Sequence, residues 1–159
     1  MYIYINSRRL LFLTELRGER YMDFLVRLAI FDDLDFVSQD GYTSRKNILR
    51  KVEQEEVFIV EKNSDPIGYL RLEFLWSTEP YIGLIRVLEP HRNQGAGSAM
   101  LAHVEDVLRN SGHSVLYSSS QANEPPPQSW HRHMGFQECG IISGLNEGGV
   151  GEIFFRKTL

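Results

Sequence analysis

The sequence predicts a mixed α/β fold in which a central, mostly antiparallel sheet is flanked by helices. Three observations carry this reading. Three apolar, β-branched runs follow one another between Glu56 and Glu89 with only short turns between them, the mark of an antiparallel meander. After Glu89 the apolar period changes from that of a strand to that of a helix. Strand and helix then alternate only briefly before two final strands, which excludes both a doubly wound sheet and a barrel.

Taken in order, "FLVRLAI" (Phe24–Ile30) reads as a buried strand, and Asp32 caps a short helix through Val37. Thr43 is the N-cap candidate for a polar helix whose Ile48, Leu49 and Val52 form one face. "EVFIVEK" is a strand and "NSDP" a turn; "IGYLRLEFLW" and "YIGLIRVLE" are two further strands joined by "STEP". From Gly97, the residues Met100, Leu101, Val104, Val107 and Leu108 fall at helical spacing, and "NSG" ends the helix. "SVLYSSS" is a strand, and "QANEPPPQSWHRHMGF" a proline-led loop with a short helix closed by Gly135. "QECGII" and "GEIFFRKTL" are the last strands, linked through "LNEGG".

The 159 residues suit one domain with a real core, and 42% hydrophobic against 24% charged is ordinary globular composition. No lysine or arginine run marks a nucleic-acid surface, and the apolar runs are too short to span a membrane. The one cysteine, Cys139, excludes an internal disulfide and leans toward a reducing cytoplasm; it reads as a small strand residue. Residues 1–21 differ from the rest. Four arginines against two glutamates give them +2, so the net charge of −4 leaves −6 on residues 22–159. Two readings of residues 1–21 stand: Met22 is the true start, with "RGERYM" a translated ribosome-binding site, or "YIYI" adds a strand. Either way, 22–159 is expected to be one domain and 1–21 an extension.

"HRNQGAGSAML" (His91–Leu101) is the most informative stretch. Gly95 and Gly97 lack Cβ and stand where a helix begins, so backbone N–H groups and the positive helix end can approach an anion closely. Arg92 adds a full charge. Together these suit a phosphate or pyrophosphate, and an ordinary tight turn is the plainer alternative. The dinucleotide fingerprint is excluded, because Met100 stands at its third glycine and "YSSS" where its acid belongs.

Arg92-Asn93-Gln94-Gly95-Ala96-Gly97, between a strand and a helix, resembles the Arg/Gln-x-x-Gly-x-Gly/Ala signature of the GNAT superfamily of acyl-CoA N-acyltransferases. "SWHRHMGF" resembles that family's short helix ending in Gly-Phe, and the element order matches from about Met22 onward. The resemblance implies a splay between the strand before the glycine turn and the strand after the helix, with the pantetheine of acetyl-CoA lying in the split. It implies cofactor contacts from Val87 and the adjoining Leu88, from the backbone of Arg92, Asn93, Gln94, Gly95, Ala96, Gly97 and Ser98, and from Asn123. Val87 would polarise the thioester carbonyl through its backbone. Core packing for Val87 and a turn for Asn123 are the bland alternatives.

His131 stands where the family commonly has a tyrosine that protonates the departing thiolate; a histidine can donate a proton, and a surface histidine is the alternative. The acid that many relatives carry before the bulge is missing from "YIGLIRV". Glu73, sharing a strand face with Tyr69 and Arg71 opposite Leu70, Leu72, Phe74 and Trp76, is the substitute base. An ion pair of Glu73 with Arg71 or Arg86, or a water chain as base, competes with that role. His131 and His133 lie two apart on a helix and cannot share a metal ion, so no metal is expected.

The expected reaction is acetyl transfer from acetyl-CoA to a primary amine, of a small molecule or of a peptide or protein. The acceptor site would lie among Asp40, Gly41, Tyr42, the "WSTEP" turn and the last hairpin. A non-catalytic acyl-CoA sensor of the same fold is the other reading. The resemblance also admits a homodimer, since relatives often pair through sheet edges. No nucleic-acid or membrane partner is expected.

Overall fold

The computed structural model describes residues 19–21 and 23–159; "YIYI" and Met22 lie outside them. Within these residues eight strands form one sheet. β1 (Glu19–Tyr21) and β2 (Phe24–Leu28) make an edge hairpin, and β1 lies upstream of Met22. A single 3-10 turn (Phe31–Asp33) leads into α1 (Leu34–Val37), followed by α2 (Arg45–Glu53). The meander is β3 (Val57–Lys62), β4 (Asp65–Leu75) and β5 (Glu79–Val87). α3 (Ala96–Asn110), β6 (Val115–Gln121), α4 (Pro125–His133), β7 (Gln137–Ile142) and β8 (Glu152–Thr158) complete the chain.

The spatial order is β1-β2-β3-β4-β5-β6-β8-β7, and every neighbouring pair is antiparallel except β5–β6. That parallel pair needs a crossover, which α3 supplies. The mixed, mostly antiparallel sheet flanked by helices is therefore the fold observed.

Strand alternation sorts the side chains onto two faces. Under α3 and α4 lies the larger core, in which Leu70, Leu72, Ile82, Met100, Leu101, Val104, Leu116 and Phe155 are buried. Burying each such side chain contributes about 1.5–3 kcal/mol before entropy is subtracted. Under α1 and α2 lies a smaller cluster of Ala29, Leu34, Val37, Ile48, Val57, Ile59 and Tyr69. Three local expectations are corrected. Asp32 does not cap the short helix: the 3-10 turn starts after Ile30 and α1 after Asp33, and it is the Asp33 carboxylate that accepts from the Ile30 N–H at 2.8 Å. Ser44, not Thr43, caps α2, its Oγ accepting from the Asn47 N–H, while Thr43 Oγ1 takes the Asn47 side chain. Trp76 is in the β4–β5 turn with φ +51° and is exposed, so it does not extend the apolar face of β4. No helix among the described residues is long and apolar enough to cross a membrane.

Candidate active site

The site begins where β5 and β6 part. Their parallel register consists of Tyr81 opposite Tyr117 and Ile82 opposite Ser118, and then stops, although β5 continues to Val87 and β6 to Gln121. β5 turns away by a bulge: Arg71 pairs with Leu84 but Leu72 with Ile82, leaving Gly83 as the extra residue. A Cβ on Gly83 would stand 2.6 Å from Glu73 Cγ, so only glycine fits there without displacing that side chain.

Beyond the bulge the Leu88 N–H is spent on the Ile67 carbonyl at 2.8 Å. By the alternation of antiparallel ladders, Ile85 and Val87 then aim their peptide groups away from β4, into the opening. The Arg92 Nε donates to the Val87 carbonyl at 3.0 Å, tying the glycine turn to the strand. Ser120 lines the β6 side on the α3–α4 face; its Oγ is buried and has no hydrogen-bond partner within the described residues.

The glycine turn closes the far end of the opening. Gly95 is the N-cap of α3 at φ +98°, a left-handed conformation that favours glycine, and no side chain caps the helix. The amides of the first turn of α3 therefore keep their donors for an anion. Gln94 is held between Lys62 Nζ and the Pro90 carbonyl, at 3.0 Å each. Gly97 faces the Trp130 ring of α4, and Ser98 donates to Met134 Sδ, so this end of α3 packs on α4. Arg92, Asn93 and Gln94 are exposed, Ala96 is buried, and Asn123 is exposed on the turn before α4. Gln128 pins that turn through the Gln121 and Ala122 carbonyls.

The two residues expected to catalyse lie on opposite faces of the sheet. His131 is only 3% exposed, stacked on Phe155 and edge-on to Trp130 and Phe136. Its Nδ1 lies 2.7 Å from the Pro127 carbonyl, an acceptor only, so Nδ1 carries the hydrogen in the neutral ring. Its Nε2 then accepts from Ser118 Oγ, also at 2.7 Å. Burial lowers its pKa against the raising effect of the Pro127 carbonyl and Glu152. It is no surface histidine, and its Nε2 contacts β6 at Ser118, where the β5–β6 pairing ends.

Glu73 pairs neither with Arg71 nor with Arg86: Lys51 of α2 holds it at 2.6 Å. Arg71 instead makes a bidentate pair with Asp40 in the α1–α2 loop, at 2.6 and 3.0 Å. Tyr69 Oη donates to the same carboxylate at 2.8 Å, and the Tyr42 N–H at 3.0 Å. Burial pushes the Asp40 carboxyl up, but these hydrogen bonds and the Arg71 charge outweigh it and hold its pKa at about 2. Burial and Asp40 push the Tyr69 phenol up to about 12.

A parallel strand pair that separates, with the Ile85 peptide group and the Val87 N–H turned into the gap and an uncapped, glycine-started helix at its end, fits an acyl-pantetheine arm followed by a pyrophosphate. A sequence model of the acetyltransferase (GNAT) family matches residues 15–136. The chain belongs to this family. Streptothricin acetyltransferase of Streptomyces lavendulae is 29% identical over 94 residues, 58% of this chain and half of that protein's length. Among solved structures, a GNAT acetyltransferase from Bacillus cereus ATCC 10987 aligns at TM-score 0.71 and 25% identity, covering 85% of this chain and 96% of that one. The structure of yncA from Salmonella typhimurium with its cofactor acetyl-CoA aligns at TM-score 0.73 and 17% identity, covering 86% and 94%.

This GNAT chain also gathers residues that sequence reasoning passed over. Tyr81 Oη lies 2.6 Å from Ser119 Oγ; Ser119 donates to Glu152 Oε1, and Asn146 to Glu152 Oε2 at 2.7 Å. Alternation along "LYSSSQ" already separates Ser119 from Ser118 and Ser120, which was the available signal. Among the described residues no group of three or more His, Cys, Asp or Glu is arranged to hold a metal ion.

Proposed function

We propose that this protein transfers the acetyl group of acetyl-CoA to the primary amine of an acceptor by direct attack. The observation that carries this is the opening of β5 from β6 after Ile82 and Ser118, flanked by the Ile85 peptide group and the Val87 N–H, which the ladder alternation turns away from β4 while Arg92 takes the Val87 carbonyl. The residues fit the co-substrate. The amides of Gly97 and Ser98 and the Arg92–Ala96 backbone would take the pyrophosphate, and the Ser120 hydroxyl and Asn123 the arm. Leu88, its N–H spent, would contribute packing only. Acetyl-CoA supplies an acyl group activated as a thioester. A backbone N–H aimed at the developing oxyanion is worth about 2.7–4 kcal/mol of barrier.

His131 bears on the departing thiolate through Ser118: an imidazole that has taken a proton at Nε2 donates to Ser118 Oγ and frees that hydroxyl's hydrogen for the sulfur. Glu73 lies against the Gly83 bulge and attracts the acceptor's ammonium, while its charge is shared with Lys51. Net charge of −6 over residues 22–159 favours a cationic acceptor. A cytoplasmic setting suits the exposed thiol of Cys139, and the exposed edge strand β7 would serve a homodimer. The test is acetylation of an amine panel led by a streptothricin, with polyamines, aminoglycosides, amino acids and short peptides. Acetyl-CoA binding without transfer to any of them would shift the reading to a sensor.

A further inference from the structure

We propose that Tyr81, Ser119 and Glu152 form an oriented relay that removes a proton from the acceptor amine. The inference rests on the transferase reading and supplies the base that Glu73, held by Lys51, fills poorly.

The hydrogens in this chain of contacts can be assigned one way. Glu152 accepts at both oxygens, from Ser119 and from Asn146. Ser119 has one hydroxyl hydrogen and spends it on Glu152, so the 2.6 Å contact with Tyr81 must be donated by the phenol. Every hydrogen therefore points toward Glu152. Tyr81 Oη keeps its lone pairs, and among the described residues nothing donates to them. An N–H arriving at Tyr81 finds an acceptor at the head of an aligned chain and a carboxylate at its end.

The location suits the acceptor. Tyr81 stands one residue before the last β5–β6 pairing and two before the Gly83 bulge, at the root of the opening. The α3–α4 face of the sheet is filled with apolar core, so an acceptor must approach from the other face. There the α1–α2 cluster reaches only to Leu84, and Tyr81, Tyr117, Ser119, Glu152 and Phe154 are half-buried. Ser118 and His131 are on the opposite face, so the two proton tasks of the reaction are separated by the sheet. The charges facing Tyr81 are Glu152 from β8 and Glu73 from β4, the latter paired with Lys51 from α2. Burial and these two carboxylates push the phenol up, against the Ser119 hydrogen bond, and keep it protonated.

The step balances. An ammonium proton moves to Tyr81 Oη as the phenol's own proton moves to Ser119 and that of Ser119 to Glu152, which becomes the neutral acid. The freed nitrogen lone pair forms the C–N bond at the thioester carbonyl. The C–S bond breaks with its electron pair on sulfur. The second proton lost by nitrogen converts the thiolate to the thiol, and Glu152 returns its proton to water.

The test uses the full chain with Tyr81→Phe, Ser119→Ala and Glu152→Gln, and the best amine from the panel. Tyr81 is the group that touches the amine, and Ser119 and Glu152 are positioning residues. Near pH 7, kcat/KM for the amine should fall about 10²-fold in each variant. The deficit should shrink toward wild type near pH ~10, where an alkylamine arrives already neutral. Ser119→Thr, which keeps the hydroxyl, should restore most of the rate. Calorimetric affinity for acetyl-CoA should stay within about twofold of wild type, because the relay does not contact it. By ultraviolet difference titration, the Tyr81 phenol should ionise at lower pH in Glu152→Gln. Wild-type rates in the variants, or a deficit that is the same at every pH, overturn the relay and leave the transferase standing. A wild type that binds acetyl-CoA but acetylates no amine overturns both.

Discussion

Replacing Asp40 by asparagine tests how the acceptor-side loop is held. The Asp40 side chain is 0% exposed and that of Arg71 5% exposed, and the guanidinium grips the carboxylate with two hydrogen bonds. Removing the charge leaves Arg71 buried beside a neutral amide. Breaking one partner of a buried pair costs about 3–5 kcal/mol. The lowered carboxyl bears on the same quantity: a pKa held at about 2 instead of 3.8 corresponds to about 2 kcal/mol of native-state stability. That contribution is fully present above the unfolded carboxyl's range and is lost as pH falls toward the folded value. Urea denaturation of wild type should therefore show stability declining between about pH 4 and pH 2, with this part of the slope missing in Asp40→Asn. At pH 7 the variant should lose about 2–4 kcal/mol with an unchanged m-value. Arg71→Met in the same chain should recover part of the loss, because no buried charge then remains. Because the loop belongs to the α1–α2 face and α3 packs on the other face of the sheet, KM for the amine should rise while acetyl-CoA affinity holds. A loss below about 0.5 kcal/mol, or an unchanged acid slope, would refute the anchoring role.

Three further outcomes follow from the site. Gly95→Ala forces an L residue to φ +98°, which costs about 1–2 kcal/mol, and should weaken acetyl-CoA binding about tenfold by calorimetry. His131→Ala should lower kcat about 10²-fold, and Ser118→Ala, which leaves no large cavity, should match it. Unchanged turnover in Ser118→Ala removes that pair from the mechanism. Because burial lowers the His131 pKa, its share of stability is present above the ordinary histidine range and lost as pH falls below it. His131→Phe should flatten that part of the stability profile.

Much of this was legible in the sequence. The meander, the helix-starting glycine turn and the switch of period after Glu89 are local patterns, and each became the expected element. β1 was missed because Glu19–Tyr21 is too short and polar to show a strand period. The two hydroxyls at Thr43 and Ser44 offered equal caps, and only the backbone geometry chose between them. The partner of Glu73 is not legible in the sequence: strand alternation and pairing offer Arg71 and Arg86, while Lys51 and Asp40, which take Glu73 and Arg71, come from α2 and the loop before it. Tyr81, Ser119 and Glu152 come from three strands, and pairing between β6 and β8 spans a helix, a strand and a hairpin. No spacing rule within one segment can show such a meeting. The burial of His131 likewise depends on Phe155, far along the chain.

The most direct test is release of CoA thiol from acetyl-CoA across the amine panel, matched to the mass of acetylated amine. An enzyme-only blank is needed to subtract any signal from the exposed Cys139 thiol. Acetyl-CoA at a hundred times its Kd should also stabilise the fold by about 2.7 kcal/mol. Thiol release in step with one acetylated amine is the result this account predicts. A protein that neither gains stability from acetyl-CoA nor releases thiol with any amine would contradict it.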